Sequence, residues 1–278
     1  MGREAPRPRA LTIAGSDSGG GAGIQADLKT FGALGVFGMT AITAVTVQNT
    51  KGVTGYEELS PQMVGDQIRA VATDIGVDAA KTGMLASASI VGAVAEAVTE
   101  TGIPNLVVDP VFMSKHGHAL LAPEAVEALR TLILPLATLV TPNLPEAAGL
   151  SGFDVETADD MERAAEAILR FGPAAVLVKG GHLKGGHLAG ARAGNRSDDL
   201  LFDGERLLWI EGARFDTPHT HGTGCVLSSA IAAYLARGED LLTAVRKGKT
   251  FVGEAIRHSL AIGHGIGPVD PLWGIRPA

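Results

Sequence analysis

Short apolar runs alternate with helical patterns along most of the chain. The runs at 10–15 and 40–47 are strand-like, because the first ends at a glycine and the second is rich in β-branched residues. Four more short strands are predicted at 79–82, 105–109, 139–141 and 175–179. Helices are predicted at 21–34, 60–75, 87–101, 123–133 and 158–171. This alternation predicts an α/β fold in which a mostly parallel central sheet carries helices on both faces.

Three local signals refine this prediction. In the first helix, Ile24, Leu28, Phe31 and Leu34 fall on one side. Residues 181–203 break the rhythm with glycine, asparagine and charge, so we expect a loop or a β-excursion there. No interdomain linker is evident, and we predict a flexible N-terminal tail at 1–9 followed by a single domain at 10–278.

Charge and cysteine content narrow the class of protein. The 278 residues carry a formal net charge of −7, which argues against nucleic acid or an anionic membrane as the main partner. A single cysteine excludes an internal disulfide framework and fits a reducing compartment, so we expect a cytoplasmic protein. The apolar run at 132–140 contains Pro135 and is too short to span a membrane.

The most informative segment is Thr220-His-Gly-Thr-Gly-Cys225, which is followed directly by an apolar helical run. Gly222, Thr223 and Gly224 open this predicted helix, and the first N–H groups of a helix can surround an anion. Cys225 is the only cysteine, and a thiol at a helix start is expected to be acidified. An anion-binding turn beside a titratable group is what phosphoryl transfer requires.

A glycine-rich segment follows the first strand, with five glycines in the nine residues 15–23. Gly21-x-Gly23-x-x-Ala26 satisfies the loose dinucleotide-binding fingerprint. However, no carboxylate lies between Asp27 and Glu57 to hold a ribose, so an oxidoreductase is disfavoured. A Walker A loop is also absent, because Thr243 stands where the first glycine would precede Gly248-Lys249-Thr250, and we interpret Lys249 as a solvated helix residue.

Two further segments carry polar groups at predicted strand ends. Asn143 and Glu146 can organise a hydrated Mg²⁺, although helix capping by the same pair is the more economical interpretation. Lys179 is followed by two glycines and can neutralise phosphate oxygens. Because the carboxyl ends of parallel strands share one sheet edge, we expect these groups to converge with the residues at 220–225 on one site for phosphoryl transfer.

Six segments together resemble the bifunctional hydroxymethylpyrimidine/phosphomethylpyrimidine kinases of thiamin biosynthesis, in the ribokinase-like superfamily. The resemblance covers 10–271, and the segments are those at 10–31, 81–85, 141–147, 178–182, 220–225 and 265–269. It implies a three-layer α/β/α fold, ATP and Mg²⁺ as cofactors, an aminopyrimidine substrate and a homodimer. We also expect no fused thiamin-phosphate synthase.

The resemblance implies a role for each matching residue. The pyrimidine pocket would be lined by Gly15, Asp27, Gln48, Met84 and Val111. Asp109, Asn143 and Glu146 would organise Mg²⁺. Lys179, Thr220, Gly222, Thr223 and Gly224 would contact the phosphates and stabilise the developing charge. Cys225 would accept the proton of the substrate hydroxymethyl group.

We expect Cys225 to matter mainly for the first of two transfers, because the second nucleophile is a phosphate that is already ionised. A pyridoxal or pyridoxine kinase is the nearest alternative function. A non-catalytic binding module is a second alternative, but the presence of Asp109, Glu146 and Cys225 argues against it.

Overall fold

The computed structural model describes residues 7–112, 123–181 and 196–275. The strands in these residues are β1 (Arg9–Ser16), β2 (Phe37–Asn49), β3 (Gly52–Glu58), β4 (Ala79–Thr82), β5 (Leu106–Val108), β6 (Leu139–Val140), β7 (Val176–Val178), β8 (Asp199–Phe202) and β9 (Leu207–Ile210). The helices are α1 (Gly23–Ala33), α2 (Pro61–Asp74), α3 (Ala88–Thr101), α4 (Pro123–Ala128), α5 (Leu144–Ser151), α6 (Ala158–Leu169), α7 (Thr223–Ala236) and α8 (Leu241–Arg257). No helix of the described ranges has the length and apolar character needed to cross a membrane.

All nine of these strands belong to one sheet, in the order β3-β2-β1-β4-β5-β6-β7-β8-β9. The six strands from β2 to β7 in this order are parallel, which confirms the predicted parallel sheet. β3, β8 and β9 pair antiparallel at its two ends. β8 therefore confirms a β-excursion in the described part of 181–203, while residues 182–195 lie outside the described residues. The pattern did not predict β3.

The helices form a layer on each face of the sheet, as predicted. One core cluster joins alternate residues of the strands, such as Leu11 and Ile13 of β1, to buried residues of α2, α3 and α6. The other cluster joins the opposite residues, such as Ala10, to α1, α7 and α8. This alternation follows from the two-residue period of a strand, and burial on both faces explains the continuous apolar runs.

Local differences from the predictions have identifiable causes. Arg9 belongs to β1 and its guanidinium lies 2.7 Å from Asp78, so the predicted tail does not extend to it. Leu28 of α1 is 37% exposed although it shares a helix side with other apolar residues, whereas the charged Asp27 on the same helix is buried. After α4 the chain forms one π turn and one 3₁₀ turn, the latter containing Pro135, which cannot donate a backbone hydrogen bond.

Candidate active site

A cavity of about 720 Å³ opens at the carboxyl edge of the parallel strands. The sequence-predicted residues that line it are Gly15, Gln48, Met84, Asp109, Val111, Asn143, Glu146, Lys179, Thr220, Gly222, Thr223, Gly224 and Cys225. The fold therefore brings together all the predicted site residues except Asp27. The parallel strand ends explain this convergence, as expected for an open α/β sheet.

The start of α7 forms an open turn of backbone amides. Gly222 is the N-cap and has φ +82°, a conformation that favours glycine. A Cβ at this position would lie 1.9 Å from the carbonyl oxygen of Gly21, so the two glycine-rich segments pack directly against each other. Among the described residues, the amides of Gly224 and Cys225 have no protein acceptor, which leaves them available to an anion.

Lys179 stands between two carboxylates beside this turn. Its Nζ lies 2.8 Å from Oδ1 of Asp109 and 3.7 Å from Oε2 of Glu146. A Cβ built on Gly224 would lie 3.5 Å from Lys179 Nζ and also 3.5 Å from Asp109 Oδ2. The ammonium group, the carboxylates and the open amides therefore border the same small volume.

Burial sets the charges of this cluster. Burial disfavours the ammonium of Lys179, but Asp109 and Glu146 outweigh it and raise the Lys179 pKa above its ordinary value. Burial also raises the pKa of Glu146 to about 7, against the opposing attraction of Lys179. Glu146 therefore titrates near neutral pH, while Lys179 stays charged.

Asn143 and Glu146 form a capping box at the start of α5. Asn143 Oδ1 accepts from the Glu146 amide at 2.8 Å, and Glu146 Oε2 accepts from the Asn143 amide at 2.8 Å. The capping interpretation is thus confirmed. The described residues contain no group of three or more histidine, cysteine, aspartate or glutamate side chains placed to hold a metal ion.

Cys225 differs from the prediction of an acidified thiol. Burial raises its pKa to about 11, and the nearby charge of Lys81 only partly opposes this rise. The prediction considered only the helix start, whereas desolvation of the thiolate is the larger effect here. The thiol is therefore protonated at neutral pH.

Asp27 lies beneath the cavity rather than in its wall. Its carboxylate accepts from Thr12, Ser229 and Lys81, and the Asp27 and Lys81 side chains are both 0% exposed. Lys81 itself lines the cavity. The structure therefore does not place Asp27 in the cavity wall, because its oxygens already bond to buried partners, and its predicted substrate contact stays a prediction.

Sequence reasoning missed the histidine that joins the two glycine-rich segments. His221 Nε2 lies 2.8 Å from Asp17 Oδ2 and 3.3 Å from the amide nitrogen of Gln48. Asp17 also accepts from the amides of Gly19, Gly21 and Ala22. Only the presence of His221 within the motif at 220–225 could have drawn attention to it.

The interpretation of Lys249 as a solvated residue is wrong. Its side chain is 13% exposed, and its Nζ lies 2.6 Å from Oδ2 of Asp199. Both residues line the cavity, together with Arg214 and Phe215. No local pattern in the chain signals this contact, because Asp199 lies on the antiparallel strand β8.

Nearly the whole chain is similar to a family of kinases. The family model described as phosphomethylpyrimidine kinase matches residues 17–270. The hydroxymethylpyrimidine/phosphomethylpyrimidine kinase of Streptomyces coelicolor is 53% identical over 268 residues, or 96% of each chain. The Bacillus subtilis protein of that name is 46% identical over 94% of each chain.

Two solved structures are also similar. The ADP complex of Bacillus subtilis pyridoxal kinase has a TM-score of 0.87 and 40% identity, covering 96% of this chain and 98% of its own. The phosphomethylpyrimidine kinase of Clostridium difficile has a TM-score of 0.77 and 44% identity, covering 90% of this chain and 100% of its own. The ribokinase-like three-layer fold is thereby confirmed.

Proposed function

Because the chain belongs to the phosphomethylpyrimidine kinase family, we propose that it phosphorylates 4-amino-5-hydroxymethyl-2-methylpyrimidine with ATP. The product is the monophosphate, which the same site converts to the diphosphate for thiamin diphosphate biosynthesis. One observation carries the proposal. The open amides of α7, Lys179 and Asp109 adjoin one another in the cavity that Gln48 also lines.

The ring of the substrate fits the part of the cavity near β1 and β2. Gln48 supplies both a donor and an acceptor for a ring nitrogen and an exocyclic amine. Met84 and Val111 supply apolar surface, and a Cβ at Gly15 would lie 3.4 Å from the Met84 sulfur. Gly15 therefore leaves room for a flat ring beside the thioether.

The phosphates of ATP fit the amide turn. Thr220, Gly222, Thr223 and Gly224 provide the turn, and the start of α7 adds the partial positive charge of its dipole. Lys179 neutralises charge on the transferring group, since its ammonium is fixed between Asp109 and Glu146. Preorganised charge of this kind supplies most of the catalysis in phosphoryl transfer.

The donor set near Lys179 fits Mg²⁺ bound mainly through water and phosphate. Magnesium sites of this type use one or two carboxylates, and Asp109 and Glu146 provide two. Asn143 Oδ1 is already used as a cap, so Asn143 acts by orienting Glu146. When bound, Mg²⁺ would neutralise phosphate charge; the protein residues orient the groups around it.

The transfer to the hydroxymethyl group releases a proton. Cys225 remains our proposed acceptor, but its thiol must first lose its own proton, since its pKa is about 11. Lys81 favours the thiolate. The transfer to the monophosphate needs no such acceptor, because that nucleophile is already ionised.

Pyridoxal phosphorylation is the second candidate function. The similarity to a pyridoxal kinase structure at a TM-score of 0.87 favours overlapping activity. The family match and the full-length relatives named for the pyrimidine substrates favour the pyrimidine as the main substrate.

The family resemblance also supports two further proposals, a cytoplasmic location and a homodimer. Val45, Val47 and Tyr56 of β2 and β3 are exposed apolar side chains that a second copy of the chain can cover. Size-exclusion chromatography with light scattering gives the mass in solution, and a monomer at micromolar concentration contradicts the dimer.

The test of function is a product analysis. Purified protein is incubated with ATP, Mg²⁺ and either the aminopyrimidine or pyridoxal, and the products are separated by mass. We expect the monophosphate and then the diphosphate of the pyrimidine, with slower formation of pyridoxal phosphate. Absence of both pyrimidine products contradicts the proposal, and exclusive formation of pyridoxal phosphate supports the second candidate.

A further inference from the structure

The contact between His221 and Gln48 carries a chemical conflict. His221 Nε2 lies 2.8 Å from a carboxylate oxygen of Asp17 and 3.3 Å from the side-chain nitrogen of Gln48. An ionised carboxylate only accepts hydrogen bonds, so the contact with Asp17 requires a proton on His221 Nε2. An amide nitrogen only donates, so it cannot bond to that same protonated nitrogen.

The surroundings of Asp17 favour its charged form. Burial opposes ionisation, but the hydrogen bond from His221 and those from the Gly19 and Ala22 amides hold the pKa of Asp17 below its ordinary value. The proton of the pair therefore belongs on His221 Nε2.

A half-turn of the Gln48 amide removes the conflict. The side-chain oxygen then faces His221 Nε2 and shares its proton with Asp17, while the nitrogen takes the position 3.4 Å from Thr46 Oγ1. Thr46 Oγ1 donates to the Ser16 carbonyl at 2.7 Å, so it retains lone pairs to accept from Gln48. His221 Nε2, the Asp17 carboxylate and both ends of the Gln48 amide then have compatible partners.

We propose that His221, held by Asp17, is a positioning residue that fixes the Gln48 amide with its oxygen toward the α7 turn. The proposal rests on the proposed function and explains why its site prefers the aminopyrimidine to pyridoxal. The cavity wall then presents an acceptor on the side of His221 and a donor on the side of Thr46. In 4-amino-5-hydroxymethyl-2-methylpyrimidine the donor amine adjoins the hydroxymethyl group, and an acceptor ring nitrogen lies beyond it. With the hydroxymethyl group toward the α7 turn, the amine faces the Gln48 oxygen and the ring nitrogen faces the Gln48 nitrogen.

Pyridoxal carries a ring hydroxyl and no ring amine. A hydroxyl can donate or accept, so it pairs with a Gln48 amide of either orientation. Loss of the His221 contact therefore weakens binding of the aminopyrimidine more than binding of pyridoxal. The ratio of the KM values for the two substrates, rather than the activity with either one, reports the role of His221.

Two variants and one control test this inference. In His221→Leu the donor is removed, while Asp17 keeps its bonds from Gly19, Gly21 and Ala22, so the loop retains its shape. In His221→Gln a side-chain donor to Asp17 is retained. His219→Gln is the matched control: it lies on the same segment but contacts the Gly267 amide and does not line the cavity.

We expect His221→Leu to raise the KM for the aminopyrimidine roughly tenfold or more, as for loss of a hydrogen bond fixed by a charged group. The KM values for pyridoxal and ATP change by less than about threefold, since their pairing does not depend on the amide orientation. His221→Gln restores most of the preference, and His219→Gln matches the wild type. Equal losses for both ring substrates, or for ATP, overturn the proposal.

A measurement independent of activity accompanies the kinetics. Long-range ¹H–¹⁵N correlation spectra of histidine-labelled wild-type protein report the tautomer of His221, assigned by its loss in His221→Leu. We expect a proton on Nε2, whereas an unprotonated Nε2 overturns the proposal. If the wild type fails to phosphorylate the aminopyrimidine, the proposed function fails, and the tautomer still decides whether the network exists.

Discussion

Lys81 Nζ lies 3.1 Å from Oδ2 of Asp27, and both side chains are 0% exposed. Asp27→Asn leaves the ammonium without its counter-charge, and we expect a loss of about 3–5 kcal/mol in the free energy of unfolding. The double variant Lys81→Met/Asp27→Asn recovers much of this loss because no unpaired charge remains. Urea denaturation measures each value.

The control for this pair is on the surface. Arg69 and Glu100 lie 2.7 Å apart, and both are substantially exposed. Glu100→Gln is expected to change the free energy of unfolding by less than about 1 kcal/mol. If Asp27→Asn lowers the free energy of unfolding as little as Glu100→Gln does, the buried ion pair contributes little to stability.

Lys179 is expected to serve both transfers equally, because the transferring phosphoryl group has the same charge in each. Lys179→Met should lower kcat by about 10²–10³-fold for both the hydroxymethyl substrate and its monophosphate. Lys247→Met, on the exposed face of α8 beside Glu239, is the control and should retain wild-type rates. A loss confined to one transfer contradicts this role.

Cys225 is expected to affect the pH dependence of the first transfer. The thiolate fraction rises about tenfold per pH unit below its pKa of about 11, so the first transfer should accelerate between pH 7 and 9. Cys225→Ala should lose this acceleration and leave the second transfer nearly unchanged. Steady-state rates on both substrates measure it. An unchanged slope in Cys225→Ala shows that the thiol is not the proton acceptor.

Glu146 is expected to link Mg²⁺ affinity to pH. Its pKa of about 7 is raised above the ordinary value, so the carboxyl is neutral below this pH and charged above it. The Mg²⁺ concentration needed for half-maximal rate should therefore fall as pH rises from 6 to 8. In Glu146→Gln, only the pH dependence of Mg²⁺ binding to ATP itself should remain. Identical profiles for the two proteins contradict the assignment.

Gly222 and Gly238 provide a matched pair of glycines. Their φ values are +82° and +84°, but only at Gly222 would a Cβ meet another atom, the Gly21 carbonyl oxygen at 1.9 Å. Gly238→Ala should cost about 1 kcal/mol or slightly more through backbone strain and leave kcat unchanged. Gly222→Ala should be less stable and lose most of its activity, because the glycine-rich segments must separate. Equal effects of the two changes would falsify the close-packing argument.

Contacts between residues close together in the chain were predictable from the sequence, whereas contacts between distant residues were not. The helix caps and strand ends were predictable, since the side chains of Ser60 and Asn143 each accept from the amide three residues further along the chain. The contact of His221 with Asp17 joins residues 204 positions apart, and that of Lys249 with Asp199 joins residues 50 apart. Neither pairing leaves a periodic pattern in the chain.

The sequence by itself determined the alternating strands and helices, the parallel sheet and the set of polar residues at its carboxyl edge, because these follow from local periodicity and strand direction. Tertiary structure alone decided the charge states of the site residues and which residues they contact. Burial raises the pKa of Cys225, and the buried ion pair with Lys81 keeps Asp27 out of the cavity wall. The contact with Asp17 determines that Nε2 of His221 carries the proton. Desolvation and long-range pairing depend on the packed three-dimensional surroundings, which no local pattern encodes.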